Sequence, residues 1–143
     1  MLRRATAEDG PTIAALFRRS FGTLTFLPTL HTPEEDREHF GRIVEGQEVW
    51  LWDEDGRILG FASLTEHELT NLYVEPDAHG RGLGTALLDR AKERRPAGFR
   101  FWVFQQNEGA RRFYEHHGAA AIRFTDGADN EERQPDVLYE WRP

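Results

Sequence analysis

Three glycines at alternate positions, Gly80, Gly82 and Gly84, sit between a strand-like run ending at Val74 and the helical spacing of Leu83, Leu87, Leu88 and Ala91. Glycine lets the main chain approach a ligand closely, and successive N–H groups in such a turn converge on one concavity, where the dipole of the following helix favours an anion. Phosphate binding is the chemistry that suits this segment. A nucleotide P-loop needs lysine before its Ser/Thr, whereas Thr85 follows Gly84 directly. A dinucleotide fingerprint needs glycine where Leu87 stands and an acid about twenty residues past its first glycine, where Phe101 and Trp102 lie. Both alternatives fail on residue type.

A second pattern follows at a suitable distance. After an aromatic run, Phe99 to Phe104, the residues Asn107, Ala110, Phe113, Tyr114 and Gly118 read N-x-x-A-x-x-F-Y-x-x-x-G. With the glycine turn His79-Gly80-Arg81-Gly82-Leu83-Gly84, this closely resembles the GNAT superfamily of acyl-CoA-dependent N-acetyltransferases, whose pyrophosphate signature is (Gln/Arg)-x-x-Gly-x-(Gly/Ala). The sequence departs from that signature at His79. The resemblance extends over nearly the whole chain and implies an α+β fold, a mixed, mostly antiparallel central sheet of about seven strands flanked by about four helices. It also implies acetyl-CoA as acyl donor, held by His79, Gly80, Arg81, Gly82, Leu83, Gly84 and Thr85 at its diphosphate, and by Leu72, Tyr73, Val74, Asn107 and Tyr114 along its arm.

The implied reaction is direct attack by an amine on the thioester within a ternary complex. It poses three physical problems. An alkyl ammonium of pKa about 10.4 is nucleophilic in only about one molecule in 2,500 at pH 7, so its proton must be removed. An oxyanion then forms and must meet a fixed donor, and the departing thiolate leaves more readily if protonated. The resemblance places Tyr114 as the acid for the thiolate and Glu68, eleven residues before His79, as the general base, with Glu66 and His67 beside it. It assigns the oxyanion donor to a backbone N–H near Val74.

The acceptor side is less marked. Candidate walls are the apolar loop Phe21 to His31, with Phe26 and His31, and the late acidic loop carrying Glu131 and Glu132, whose charge would attract a cationic amine. No HExxH occurs and the His116-His117 pair diverges on a helix, so no metal is expected. Two other readings stay open: a catalytically weak acyl-CoA-binding regulatory module, and a nucleotide-phosphate binder of unrelated fold. Thiol release separates the enzyme from the module, and ligand preference identifies the third.

These groups need a scaffold of matching size. The chain has 143 residues, 18 basic and 25 acidic, for a formal net charge of −7. Such a length reads as one domain, 1–143, that buries about two-thirds of its unfolded surface. With no cysteine there is neither disulfide nor thiol nucleophile, and a reducing cytoplasm is the expected setting. The acidic balance argues against nucleic acid. Apolar runs are short and the first residues enter a mixed segment directly, so neither membrane span nor signal peptide is expected. A homodimer is implied by family habit alone.

Periodicity predicts a strand at Leu2 to Thr6, a helix carrying Ile13, Leu16, Phe17 and Phe21, and a second helix from Pro33 to Glu45 opened by the Thr32–Glu35 capping box. Strands follow at Glu48 to Trp52 and Arg57 to Leu64 across an Asp55-Gly56 turn, then at Glu68 to Val74. The helix after the glycines stops near Pro96. Phe99 to Phe104 is a strand, Ala110 to Tyr114 lies on a short helix, and Ala119 to Phe124 and Val137 to Trp141 are closing strands.

Overall fold

The strands form two antiparallel sheets that touch along one short parallel contact. In the computed structural model, which describes all residues Met1–Pro143, the order is β1 (Leu2–Arg4), α1 (Gly10–Phe21), α2 (Pro33–Gly46), β2 (Glu48–Glu54), β3 (Arg57–Leu64), β4 (Leu69–Val74), α3 (Leu83–Arg94), β5 (Phe99–Phe104), α4 (Glu108–His116), β6 (Ala120–Thr125) and β7 (Asp136–Trp141). The first sheet is ordered β1-β2-β3-β4 and the second β5-β7-β6. They are linked where Glu68 bridges Arg100 in parallel and the Arg100 N–H donates to the His67 carbonyl at 3.0 Å. Beyond that bridge β4 and β5 are not paired. No helix is long and apolar enough to cross a membrane.

The local devices predicted from sequence are present. Thr32 Oγ1 accepts from the Glu35 N–H at 3.1 Å while Glu35 Oε1 accepts from the Thr32 N–H at 2.8 Å, so α2 starts with two of its orphan donors satisfied. The β2–β3 turn carries positive φ at both Asp55 (52°) and Gly56 (91°), as the strand twist demands of a tight hairpin. A Thr6–Asp9 pair opens a single 3-10 turn ahead of α1, and Asp9 also accepts from Arg3, which binds the turn to β1. The strand expected from Glu68 begins at Leu69, since Thr65 and Glu68 exchange hydrogen bonds in the β3–β4 turn.

Strand β3 is buried from Ile58 to Leu64 and serves two cores. Ile58 and Phe61 join Ile13, Leu16 and Phe40 beneath α1 and α2, while Leu59, Ala62 and Leu64 join Leu87, Leu88, Phe101 and Tyr139 beneath α3. Gly60 lets α3 come this close: a Cβ there would stand 2.9 Å from Leu87 Cδ1 and 3.1 Å from the Tyr73 carbonyl oxygen.

The far end of α3 is anchored electrostatically. Glu48 on β2, largely buried, accepts from Arg94 Nε at 2.6 Å, Trp50 Nε1 at 2.7 Å and Arg95 Nη1 at 3.1 Å. Burial pushes its carboxyl up, but hydrogen bonds from Arg94, Trp50 and Arg95 outweigh that and hold it at about 2. A carboxyl lowered on folding stabilises the fold above its unfolded value, and that contribution is lost as pH falls through the folded one. Glu48→Gln is therefore expected to cost about 2 kcal/mol at pH 7 by urea unfolding. The gap between wild type and variant should close as the pH is taken from 4.5 towards 2.

Candidate active site

The unpaired stretch between β4 and β5 opens into a cleft of about 640 Å³, lined by Ser20, Thr23 and Leu24 of the α1 end, Leu72 to Val74, Ala78 to Gly80, Gly82 to Thr85, Asn107, Gly109, Ala110, Phe113 and Tyr114. Its floor is the glycine turn. Gly80 (φ +83°) and Gly82 (φ +80°) both take the left-handed conformation, and no heavy atom lies within 4 Å of a Cβ built at either. The turn is thus shaped by backbone and filled by no side chain. The first intrahelical bond of α3 runs from the Ala86 N–H to the Gly82 carbonyl at 3.1 Å, so the N–H groups of Leu83, Gly84 and Thr85 have no partner in the chain and lie at the positive end of the helix dipole. Gly84 serves a different end, since a Cβ there would touch the Phe113 ring at 3.4 Å.

The outer side of this turn is tied down by arginines. Arg19 donates to Glu75 through Nε (2.6 Å) and Nη2 (2.8 Å), linking α1 to the residue after β4. Arg57 pairs with Asp77 at 2.9 Å, and Arg81 reaches Glu54 at 2.6 Å. The Arg81 side chain therefore points away from the cleft and only its backbone belongs to the turn. His79 folds back, its Nε2 donating to the Val74 carbonyl at 3.1 Å, an oxygen that Ser20 Oγ also reaches at 3.2 Å. Thr85 Oγ1 lies 3.2 Å from His117 Nε2.

Register decides which groups of β4 face the opening. The Glu75 N–H bonds the Leu59 carbonyl, and Val74 stands opposite Gly60, so the main-chain groups of Tyr73 are turned towards β3 while those of Leu72 and Val74 face the cleft. Leu72 and Val74 thus present their main-chain groups to the cleft. Tyr73 also lines the cleft, but its amide is used inside the sheet and its side chain is the part left to contribute. That side chain packs edge-on against Phe17 (centroids 5.2 Å apart) and beside Phe61.

Tyr114 comes from α4, whose start is set by Asn107, with Oδ1 accepting from the Ala110 N–H at 3.2 Å. Asn107 is therefore a helix cap that also lines the cleft, its amide nitrogen left without a hydrogen bond in the chain. The Tyr114 ring packs at a tilt against Phe101 with centroids 4.3 Å apart, and its hydroxyl has no hydrogen bond within the chain. Burial first, then the neighbouring Tyr73 phenol, push its pKa above the ordinary phenol value.

On the other side of β4 lies a second cleft of about 650 Å³. Phe17, Phe21, Phe40, Tyr73 and Phe104 give it aromatic walls, and Glu35, Asp36, Glu38, Glu131 and Glu132 against Arg18 and Arg42 give it an acidic balance. Tyr73 borders both clefts. The loops predicted to flank an acceptor meet here: His31 Nε2 contacts Glu131 Oε1 at 2.5 Å, and Arg18 Nη1 donates to the His31 carbonyl at 3.0 Å. Phe26 stands one layer back, edge-on to Phe104 at 6.0 Å.

Glu68 lies apart from the other predicted residues. It closes the β3–β4 turn, its N–H donating to Thr65 Oγ1 at 3.1 Å, and borders neither cleft. Six strand steps, about 20 Å, separate it from Val74.

A family model described as an acetyltransferase (GNAT) domain matches residues 45–118, which cover β2 to the end of α4. The chain belongs to the GNAT acetyltransferase family. Among relatives it is 31% identical over 120 residues to the peptidyl-lysine N-acetyltransferase YjaB of Salmonella typhimurium, covering 82% of this chain and 81% of that one. It is 36% identical over 94 residues to the peptidyl-lysine N-acetyltransferase YiaC of Escherichia coli, covering 64% of this chain but only 62% of that protein's length. The fold matches that of the PaiA N-acetyltransferase of Thermoplasma acidophilum, solved in complex with coenzyme A, with a TM-score of 0.80 and 20% identity over 100% of this chain and 98% of the other.

Residues that sequence reasoning missed are Ser20 on the donor side and Phe17, Asn71 and Phe104 on the other, while Thr23 and Leu24, in the loop expected to flank an acceptor, line the donor side instead. The two-residue alternation of β4 carries the signal for Asn71, which lies on the Tyr73 face. Nothing in the spacing of α1 marks its last turn as a cleft wall. The left-handed turn makes a direct prediction: Gly82→Ala should lower stability by about 1–2 kcal/mol through backbone strain alone, seen as a lower urea midpoint with an unchanged slope.

Proposed function

We propose that this chain transfers the acetyl group of acetyl-CoA to the ε-amine of lysine side chains in peptides or proteins. The observation that carries this reading is the meeting of the two clefts at Tyr73, with unpaired helix N–H groups at one end of the donor cleft and the Tyr114 phenol along it. The N–H groups of Leu83, Gly84 and Thr85, with the turn of Gly80 and Gly82, hold the diphosphate. The arm lies along the open edge of β4, pairing with Leu72 and Val74 as an added strand would. The Asn107 amide nitrogen supplies one further donor. The second cleft, with aromatic walls and an acidic rim, suits the apolar stem and cationic tip of lysine, and the names of the YjaB and YiaC relatives support that acceptor.

In the reaction the neutral amine nitrogen attacks the thioester carbon, its surplus proton leaves, the C–S bond breaks and sulfur receives a proton. A main-chain N–H of Leu72 or Val74 meets the oxyanion as it forms. Tyr114 is suited to the last step because its raised pKa keeps the phenol protonated throughout the neutral range, and solvent restores the proton afterwards. No carboxylate borders the donor cleft, so the ammonium proton leaves towards water or the carboxylates of the acceptor cleft.

Free thiol released from acetyl-CoA in the presence of a lysine peptide measures this activity. Tyr114→Phe should lower kcat by about 100-fold while KM for acetyl-CoA stays nearly constant. Because the Tyr114 pKa is displaced upward, wild-type kcat should show no alkaline fall up to about pH 9. Stabilisation by acetyl-CoA without thiol release would instead mark a binding module.

A further inference from the structure

We propose that Tyr73 and Glu132 together form the clamp for the acceptor nitrogen, Tyr73 positioning it at the opening between the clefts and Glu132 drawing it there as a cation. This deepens the transferase reading and rests on it. Tyr73 alone among the aromatic residues borders both the glycine-turn cleft and the acidic cleft. Its ring is held by the edge of Phe17 at 5.2 Å and by Phe61 at 5.8 Å, so its orientation is set by packing. Its backbone is committed to β3, which leaves the hydroxyl as its only free polar group.

Of the two acids expected to face an acceptor, Glu131 is already engaged with His31, whereas Glu132 is half-buried, has no ion-pair partner and borders the cleft that holds the Tyr73 ring. The field between the two side chains agrees with this placement: desolvation first and the Glu132 carboxylate second raise the Tyr73 phenol above its ordinary value, and the Tyr73 phenol in turn raises that of Tyr114. Glu132 borders the acceptor cleft, Tyr73 both clefts and Tyr114 the donor cleft. A neutral phenol accepts a hydrogen bond from the amine without taking its proton, which orients the nitrogen lone pair for attack. The carboxylate raises the local concentration of the ammonium form, from which the attacking amine is generated.

Steady-state kinetics on Tyr73→Phe and Glu132→Gln, each checked for an unchanged melting temperature, test the clamp with two acceptors: a lysine peptide and a peptide bearing a side-chain hydrazide, which is uncharged at pH 7. Tyr73→Phe keeps the ring contacts, and should lower kcat/KM about 10- to 100-fold for both acceptors while KM for acetyl-CoA is unmoved. Glu132→Gln should raise KM about threefold to tenfold for the lysine peptide and leave the hydrazide unaffected. If wild type turns over and both variants match it with both acceptors, the clamp is wrong and the transferase reading stands. If wild type releases no thiol with any amine, the transferase reading fails and the clamp fails with it.

Discussion

Everything functional in this fold follows from two neighbouring strands that meet at one bridge and then part. At Glu68 and Arg100 the sheets are stitched together, and from there β4 and β5 diverge. A strand edge inside a protein is costly unless its polar groups find partners. Here the exposed edge is short, its Val74 carbonyl is occupied by Ser20 and His79, and the remaining groups of Leu72 and Val74 face a cleft. The opening leaves the main-chain groups of one strand edge facing a cleft rather than a neighbouring strand.

Helix α3 connects stability to that opening. Its C-terminal end is fixed to β2 by Glu48 with Arg94 and Arg95, and its middle is drawn close to β3 by Gly60. Its N-terminal end is kept open by the positive φ of Gly82. A helix held firmly at one end and along its length presents its first-turn amides in a constant direction, which is what binding an anion by main chain requires. The cost is local strain and unpaired donors in the same turn, and the arginine pairs of Arg19, Arg57 and Arg81 restrain the segment from outside.

Most of the fold was legible because its elements carry strong local signals: the Thr32–Glu35 box, the Asp55-Gly56 turn, the alternation of Phe99, Phe101 and Val103, and the glycine turn before Leu83. The site was legible mainly where backbone conformation shapes the cleft, at Gly80 and Gly82. The resemblance points to Glu68 by its position on the strand before the glycine turn, but distance along a strand is also distance in space, and the residue lies in the β3–β4 turn. Tyr73 was assigned as a backbone ligand when its side chain is the available group, a distinction that depends on the pairing register of β3 and β4 rather than on residue type. The second cleft is lined by α1, α2, β4 and Phe104 and closed by the loops between α1 and α2 and between β6 and β7, whose meeting through His31 and Glu131 is a long-range event with no periodic trace.

The central claim is that the first-turn amides of α3 hold a diphosphate by main chain. Amide-resolved NMR titration with coenzyme A and, separately, with pantetheine tests it directly. Large downfield shifts at Gly82, Leu83, Gly84 and Thr85 with coenzyme A, and none there with pantetheine, are the result expected of N–H groups that acquire a phosphate partner. Saturating coenzyme A that leaves those four amides unmoved would contradict the account.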